Sequence, residues 1–171
     1  KLCRHFVADA PPPALVERVA RRFRETDGDL AETCATLVRS PEAWAPEPRK
    51  FKRPEEFLIS AARATGARVP EGPAFVLALK ELGQPPYRQP GPDGWADTAD
   101  FWVAPDALWK RLEWVDDLAR RLASTGSDVL ELGRAVLGDA LTDATRRAVG
   151  RAEGPAQALT LLLVSPEFMR R

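Results

Sequence analysis

Pro105-Asp106-Ala107-Leu108-Trp109-Lys110-Arg111-Leu112-Glu113-Trp114-Val115-Asp116-Asp117-Leu118-Ala119-Arg120-Arg121-Leu122 is the longest stretch of this chain with an uninterrupted helical period. Leu108, Leu112, Val115, Leu118 and Leu122 recur at steps of three and four, the spacing that lines up side chains along one face of an α-helix. Pro105 suits the first helical position and Asp106 the positive end of the helix dipole, while Gly126 lies beyond as a stop signal.

The same signals recur on both sides of that segment. Leu15, Val19 and Phe23, with Val16 and Ala20 beside them, form an apolar face after Pro11-Pro12-Pro13, and Gly28 follows its end. Asp29 with Glu32 makes a capping-box-like start for a helix whose stripe is Leu30, Cys34, Leu37 and Val38. Pro54-Glu55-Glu56 opens another helix that Gly66 closes, and Phe75, Leu79 and Leu82 mark a short one ending at Gly83. Ser127 and Thr142 are natural caps for two shorter helices closed by Gly138 and Gly150, and Pro155 starts the last. No five-residue alternation and no Asn-Gly hairpin stand out. The expected class is all-α: about seven to ten helices around one core, with less than roughly 5% strand.

One segment breaks the pattern. Gly83-Gln84-Pro85-Pro86-Tyr87-Arg88-Gln89-Pro90-Gly91-Pro92-Asp93-Gly94-Trp95 holds four prolines in thirteen residues, which excludes helix and inner strand and predicts a long ordered loop near residues 83–104. Trp95, Trp102, Trp109 and Trp114, four of the five tryptophans, follow directly, with Tyr87 and Phe101 nearby. The favoured reading is that these rings pin the loop, with Pro92-Asp93-Gly94 turning Trp95 into a pocket against Leu108 and Leu112. The alternative is a shallow groove for a sugar, peptide or polymer, with Gln84, Tyr87, Arg88, Asp93, Trp95 and Trp102 as ligand-binding residues.

Composition narrows the function classes. At 171 residues the chain is expected to be a single helical domain over 1–171, with enough length for a core that needs no metal or disulfide. Lys plus Arg (25) balances Asp plus Glu (25), so nucleic acid is not an expected partner. The apolar run Ala158–Val164 falls far short of the roughly 20 residues a membrane-spanning helix needs. His5 is the only histidine, which argues against His-based metal clusters and Ser-His or Cys-His catalysis. Glu55/Glu56 and Asp116/Asp117 are adjacent in helices and suit solvated faces better than a catalytic pair. Asp93, Asp97 and Asp100 lack the spacing of an EF-hand loop, and Gly83, Gly91 and Gly94 that of a phosphate-cradling turn. No catalytic residue, metal or cofactor is therefore expected. Cys3 and Cys34 are expected to be core thiols, and a bridge between them is not decided by sequence. The chain opens Lys1-Leu2-Cys3-Arg4-His5-Phe6-Val7 at helical spacing, so it is expected to be the carboxy-terminal fragment of a longer protein, with Leu2, Phe6 and Val7 either in the core or under an upstream segment.

Leu37-Val38-Arg39-Ser40-Pro41-Glu42 and Leu162-Leu163-Val164-Ser165-Pro166-Glu167 echo one another as helix corners, each expected to end one helix and start a short second one. A phosphorylation or recognition role for Ser40 or Ser165 is the lesser reading. Lys1-Leu2 with Phe6-Val7, both Ser-Pro-Glu corners, Arg53-Pro54-Glu55-Glu56-Phe57, Leu82-Gly83-Gln84-Pro85-Pro86-Tyr87, Pro90-Gly91-Pro92-Asp93-Gly94-Trp95 and Trp102 follow in order along the whole chain. In these the chain resembles the carboxy-terminal region of the bacterial domain-of-unknown-function family 1800. It departs from the pattern in having Ala43 after the first Ser-Pro-Glu, with Trp44 one position on. The resemblance implies a long bacterial parent of unestablished activity, exported or envelope-associated. The expected function is a noncatalytic helical structural or interaction module that packs against an upstream region or a partner protein. The alternative is part of a hydrolase-like or carbohydrate-binding protein, with a glycan or small-molecule groove at the Gly83–Trp95 loop.

Overall fold

The computed structural model describes residues 1–45, 49–122 and 128–171. Among these the chain is all-α, with ten α-helices, two short 3-10 turns and one isolated antiparallel bridge between Phe51 and Arg170. Two compact units are present, Lys1–Lys50 with Asp97–Ala99, and Phe51–Ala96 with Asp100–Arg171.

The first unit holds α1 (Leu2–Phe6), α2 (Pro13–Glu25), α3 (Leu30–Val38) and a 3-10 turn at Pro41–Trp44. Pro13 starts α2 where its missing N–H costs nothing. At the far end the Gly28 N–H reaches the Phe23 carbonyl at 2.8 Å, with glycine at φ 86°, a left-handed value that a side chain would resist. Asp29 caps α3 by accepting from the Glu32 N–H at 3.0 Å. Cys3, Val7, Ala8, Leu15, Val19 and Leu37 form this unit's core. The apolar stripe read along α3 is divided. Thr33 and Leu37 face inward, whereas Leu30, Cys34 and Val38 are exposed, so Cys34 is a surface thiol and not a core one. The reason is rotational: α2 meets the side of α3 one residue around from the stripe, and Thr33 tolerates burial because its hydroxyl donates to the Asp29 carbonyl at 2.6 Å. Phe23 and Val16 likewise stay largely exposed on α2.

The second unit holds α4 (Pro54–Thr65), α5 (Pro73–Glu81), α7 (Pro105–Leu122), α8 (Val129–Leu137), α9 (Asp143–Gly150) and α10 (Pro155–Leu163). The short α6 (Ala99–Trp102) interrupts what the sequence presents as continuous loop. The apolar α10 packs on α7, α8 and α9, and α4 on α8. Gly66 ends α4 in a left-handed conformation at φ 69°, and Thr142 caps α9 by accepting from the Thr145 N–H at 3.2 Å. Ser127 and Gly126 lie outside the described residues; Asp128 caps α8, accepting from the N–H groups of Leu130 and Glu131. Gly150 is the last residue of α9 instead of its stop, and Arg151 occupies the cap.

The long helix also turns differently from its leucine stripe. Arg111, Val115, Leu118 and Ala119 are buried, while Leu108 is exposed. The two Ser-Pro-Glu corners keep their serines inside. The Ser40 hydroxyl donates to the Thr36 carbonyl at 2.7 Å and accepts from Arg18 at 2.9 Å. Ser165 is buried as well and accepts from the Phe168 N–H at 3.2 Å. The first corner opens a 3-10 turn, while the second continues as plain turn because Glu167 is drawn to α9, where it accepts from the Thr142 N–H and hydroxyl at 3.0 and 2.8 Å.

Candidate functional site

The residues singled out around the loop separate into two groups. Gly83, at φ 88°, turns the chain out of α5 so that Gln84 is only 5% exposed, and its side-chain oxygen accepts the Glu55 N–H at 2.9 Å, satisfying an orphan donor of α4's first turn. Trp102, 3% exposed, donates its indole N–H to the Ala96 carbonyl at 3.0 Å. Trp95 is half-buried, with its ring 5.8 Å from Trp102 and 6.3 Å from Phe101. Its ring partners are thus on α6, where the sequence reading put the pocket against Leu108 and Leu112 of α7. The chain does reverse at this point, with the Gly94 N–H donating to the Gly91 carbonyl at 3.2 Å. Tyr87, Arg88 and Asp93 stay outside; Tyr87 is 98% exposed and sits at φ 59°. The structure therefore gathers Trp95 and Trp102, sends Gln84 to α4, and leaves the other three on the surface.

In the first unit a polar network surrounds Lys50. Its ammonium, buried, donates to Asp9 and to the Asp97 carbonyl. The other Asp9 oxygen accepts the Ala99 N–H at 2.7 Å, and Asp97 meets His5 Nδ1 at 3.3 Å. These bonds tie the returning segment Asp97–Ala99 to Asp9, Lys50 and, through His5, to α1, which gives His5 and Asp97 structural work. Among the described residues no group of three or more His, Cys, Asp and Glu is placed to hold a metal ion.

A second polar cluster, which sequence reasoning missed, lies in the second unit. Arg111 is fully buried on α7, its guanidinium 4.6 and 5.1 Å from the rings of Phe51 and Phe57 and its Nη1 3.6 Å from the Met169 sulfur. Its Nε and Nη2 have no hydrogen-bond partner. Burial pushes its pKa down to about 10, against the opposing pull of Glu56. Glu56 is itself half-buried, accepting from the Arg53 N–H at 2.9 Å and meeting Arg171 at 2.9 Å, so it is not the solvated acid expected from its neighbour Glu55. Burial would raise the Glu56 pKa, but the Arg53 N–H and the Arg171 charge together hold it below the usual carboxylate range.

Lys52 completes the cluster, donating to the Phe168 carbonyl at 2.7 Å and lying 4.2 Å from the centre of that ring. Burial pushes its pKa down from 10.5 to about 8. An ammonium titrating lower in the folded chain than in the unfolded one costs stability wherever both states are protonated, and the cost is relieved as pH rises between the two values. Unfolding free energy is accordingly expected to gain a Lys52-dependent rise on the order of 1 to 3 kcal/mol between about pH 8 and pH 10. Denaturant titrations of native and Lys52→Met chains across that range check it; parallel curves for the two would sink it.

Cavities formed by these elements include one of about 830 Å3 that lies along α5 and α7 and is lined by Leu77, Trp114 and a mixture of both charges. Asp116 with Arg120 and Asp106 with Lys110 pair along α7 at 2.6 and 3.6 Å, the pattern of a solvated helix face. One of about 420 Å3 lies among α1, α2 and α3, and one of about 320 Å3 lies beside Lys52.

An all-α protein of two compact units, with buried cations and apolar grooves, is the class these observations define. Residues 1–170 match the model of a family described as a protein of unknown function, DUF1800, and the chain belongs to that family. Neither the curated proteins nor the solved structures contain a match.

Proposed function

We propose that this chain is a noncatalytic helical interaction module of a larger bacterial protein, and that it docks an acidic amphipathic helix of a protein partner. The observation that carries the reading is the groove of about 420 Å3 in the first unit. Its apolar walls include Leu2, Pro11, Val16 and Phe23, and Val16 and Phe23 are 41% and 46% exposed. Apolar area left in water forgoes about 25 cal/mol per Å2, and helical peptides recover it by inserting anchors spaced three or four residues apart. Lys1, Arg4 and Arg24 also line the groove and no carboxylate does, which favours an acidic partner. Envelope association of the parent rests on the family resemblance alone. Treating 1–171 as one folding unit belongs to the same proposal, and coincident unfolding by two probes tests it.

A fluorescent helical peptide with leucines on one face and glutamates on the other is expected to bind saturably in an anisotropy titration. Phe23→Asp should weaken it at least tenfold, and the pair Arg4→Glu and Arg24→Glu should weaken it further while the circular dichroism spectrum stays unchanged. No saturation at roughly 0.1 mM, an affinity worth little more than 5 kcal/mol, or undiminished binding by Phe23→Asp, would overturn the proposal.

A second reading keeps the Gly83–Trp95 loop as a glycan or small-molecule contact. What favours it is Tyr87, a non-glycine residue in a left-handed conformation with its ring in solvent, a cost that binding sites often carry. Loss of a glycan-array signal on Tyr87→Ala, with no change in melting, is the result it expects.

A further inference from the structure

The geometry points to a binding site for a small organic phosphate in the second unit, in the cavity formed by Lys52, Ser60, Arg63, Ala64, Val136 and Phe168. The cavity measures about 320 Å3. Ser60, Arg63 and Ala64 stand at steps of three and four on α4, so one helical face presents a hydroxyl and a guanidinium to the same space. Lys52 enters from the segment ahead of that helix, Val136 from α8 and Phe168 from the turn after α10.

The lining has a definite chemical sense. It contains two cations, one hydroxyl and no carboxylate. Lys52 has no carboxylate within ion-pair distance among the described residues, and Arg63 makes neither a hydrogen bond nor an ion pair with any of them. The Phe168 carbonyl and ring take up one side of the Lys52 ammonium and fix its position, leaving donors for a ligand. Glu56, the nearest acid to act on Lys52, is already engaged by Arg53 and Arg171. Burial also penalises the Lys52 ammonium, so an anion delivered here would restore the charge balance that folding removes.

The class of anion follows from donor number and direction. Three donor groups, two from one face of α4 and one from the segment ahead of it, can each meet one of the three terminal oxygens of a phosphate monoester, which carries close to two negative charges at neutral pH. A single carboxylate offers two oxygens in one plane and one charge. The walls left over, Ala64, Val136 and the Phe168 ring, are apolar, so the ester's substituent should be a small apolar group.

Phenyl phosphate, inorganic phosphate and phenol, titrated calorimetrically into the chain in a phosphate-free buffer, test this. Phenyl phosphate is expected to bind one per chain, inorganic phosphate at least threefold more weakly, and phenol not measurably. Arg63→Gln, on an exposed helix position that takes no part in the core, should lower phenyl phosphate affinity at least tenfold with no change in melting temperature. Ser60→Ala should lower it less, and Arg121→Gln, on α7 and outside the cavity, not at all. Absence of saturable heat with phenyl phosphate, or Arg63→Gln binding it as the native chain does, would overturn the assignment; so would an equal loss in Arg121→Gln, which would mark nonspecific charge attraction.

Discussion

Trp102→Ala is expected to lower the unfolding free energy by about 3 to 5 kcal/mol, the largest loss of any single substitution in the loop region. Trp102 is buried, its indole N–H is matched to the Ala96 carbonyl, and Phe101 meets its ring edge-on at 4.7 Å. Truncation removes the ring's transfer free energy, opens a cavity and takes away the donor that the Ala96 carbonyl accepts from. Trp95→Ala should cost roughly half as much, because its ring is half in water already and loses only the stacking against Phe101 and Trp102. Urea denaturation of both variants measures the order. A Trp95→Ala chain less stable than Trp102→Ala would reverse the assignment of the anchor, and a Trp102→Ala chain within about 1 kcal/mol of native would remove it.

Arg111→Met is expected to stabilise the chain by about 1 to 3 kcal/mol, an uncommon outcome for a substitution at a fully buried position. The guanidinium is held by two ring faces and a thioether, while its Nε and Nη2 go unmatched. Two desolvated cation–π contacts contribute about 2 kcal/mol each, and stripping water from the ion costs several kcal/mol, with a further 1 to 3 for unmatched donors. The penalty is the larger sum. Methionine keeps the aliphatic volume against Phe51 and Phe57 and removes the charge. Alanine at the same position would remove the penalty and leave a void beside both rings, so Arg111→Ala should fall below Arg111→Met by about 2 kcal/mol or more. For a chain of this size the Arg111→Met gain reads as a melting temperature higher by roughly 2 to 10 °C. A drop instead would mean the guanidinium carries a stabilising partner that outweighs its desolvation.

Both variants bear on what the buried charge is for. Arg111, Lys52 and Arg171 converge near one acid, Glu56, and that surplus of positive charge lies in the same unit as the cavity carrying Arg63. Formal charge is balanced over the whole sequence, so the local excess arises from how α4, α7 and the carboxy-terminal turn come together.

Much of the architecture was legible in the residues themselves, because the signals that start and stop helices act over three or four positions. Pro54 and Pro155 open helices, Asp29 and Thr142 accept the N–H groups expected of caps, and Gly28, Gly66 and Gly83 take the left-handed values that only glycine adopts without cost. The four prolines between Gly83 and Trp95 likewise determined an irregular segment. Which face of each helix points inward was decided by the tertiary structure. A stripe such as Leu30, Cys34, Leu37 and Val38 is broad enough to be rotated by one residue at small cost, and the packing of α2 chose the side with Thr33 and Leu37. The same rotation on α7 put Arg111 inside and Leu108 outside. The candidate anion site was invisible for a related reason: Val136 and Phe168 are far in the chain from Lys52, Ser60 and Arg63, and no local spacing signals a meeting that exists only after the chain has folded.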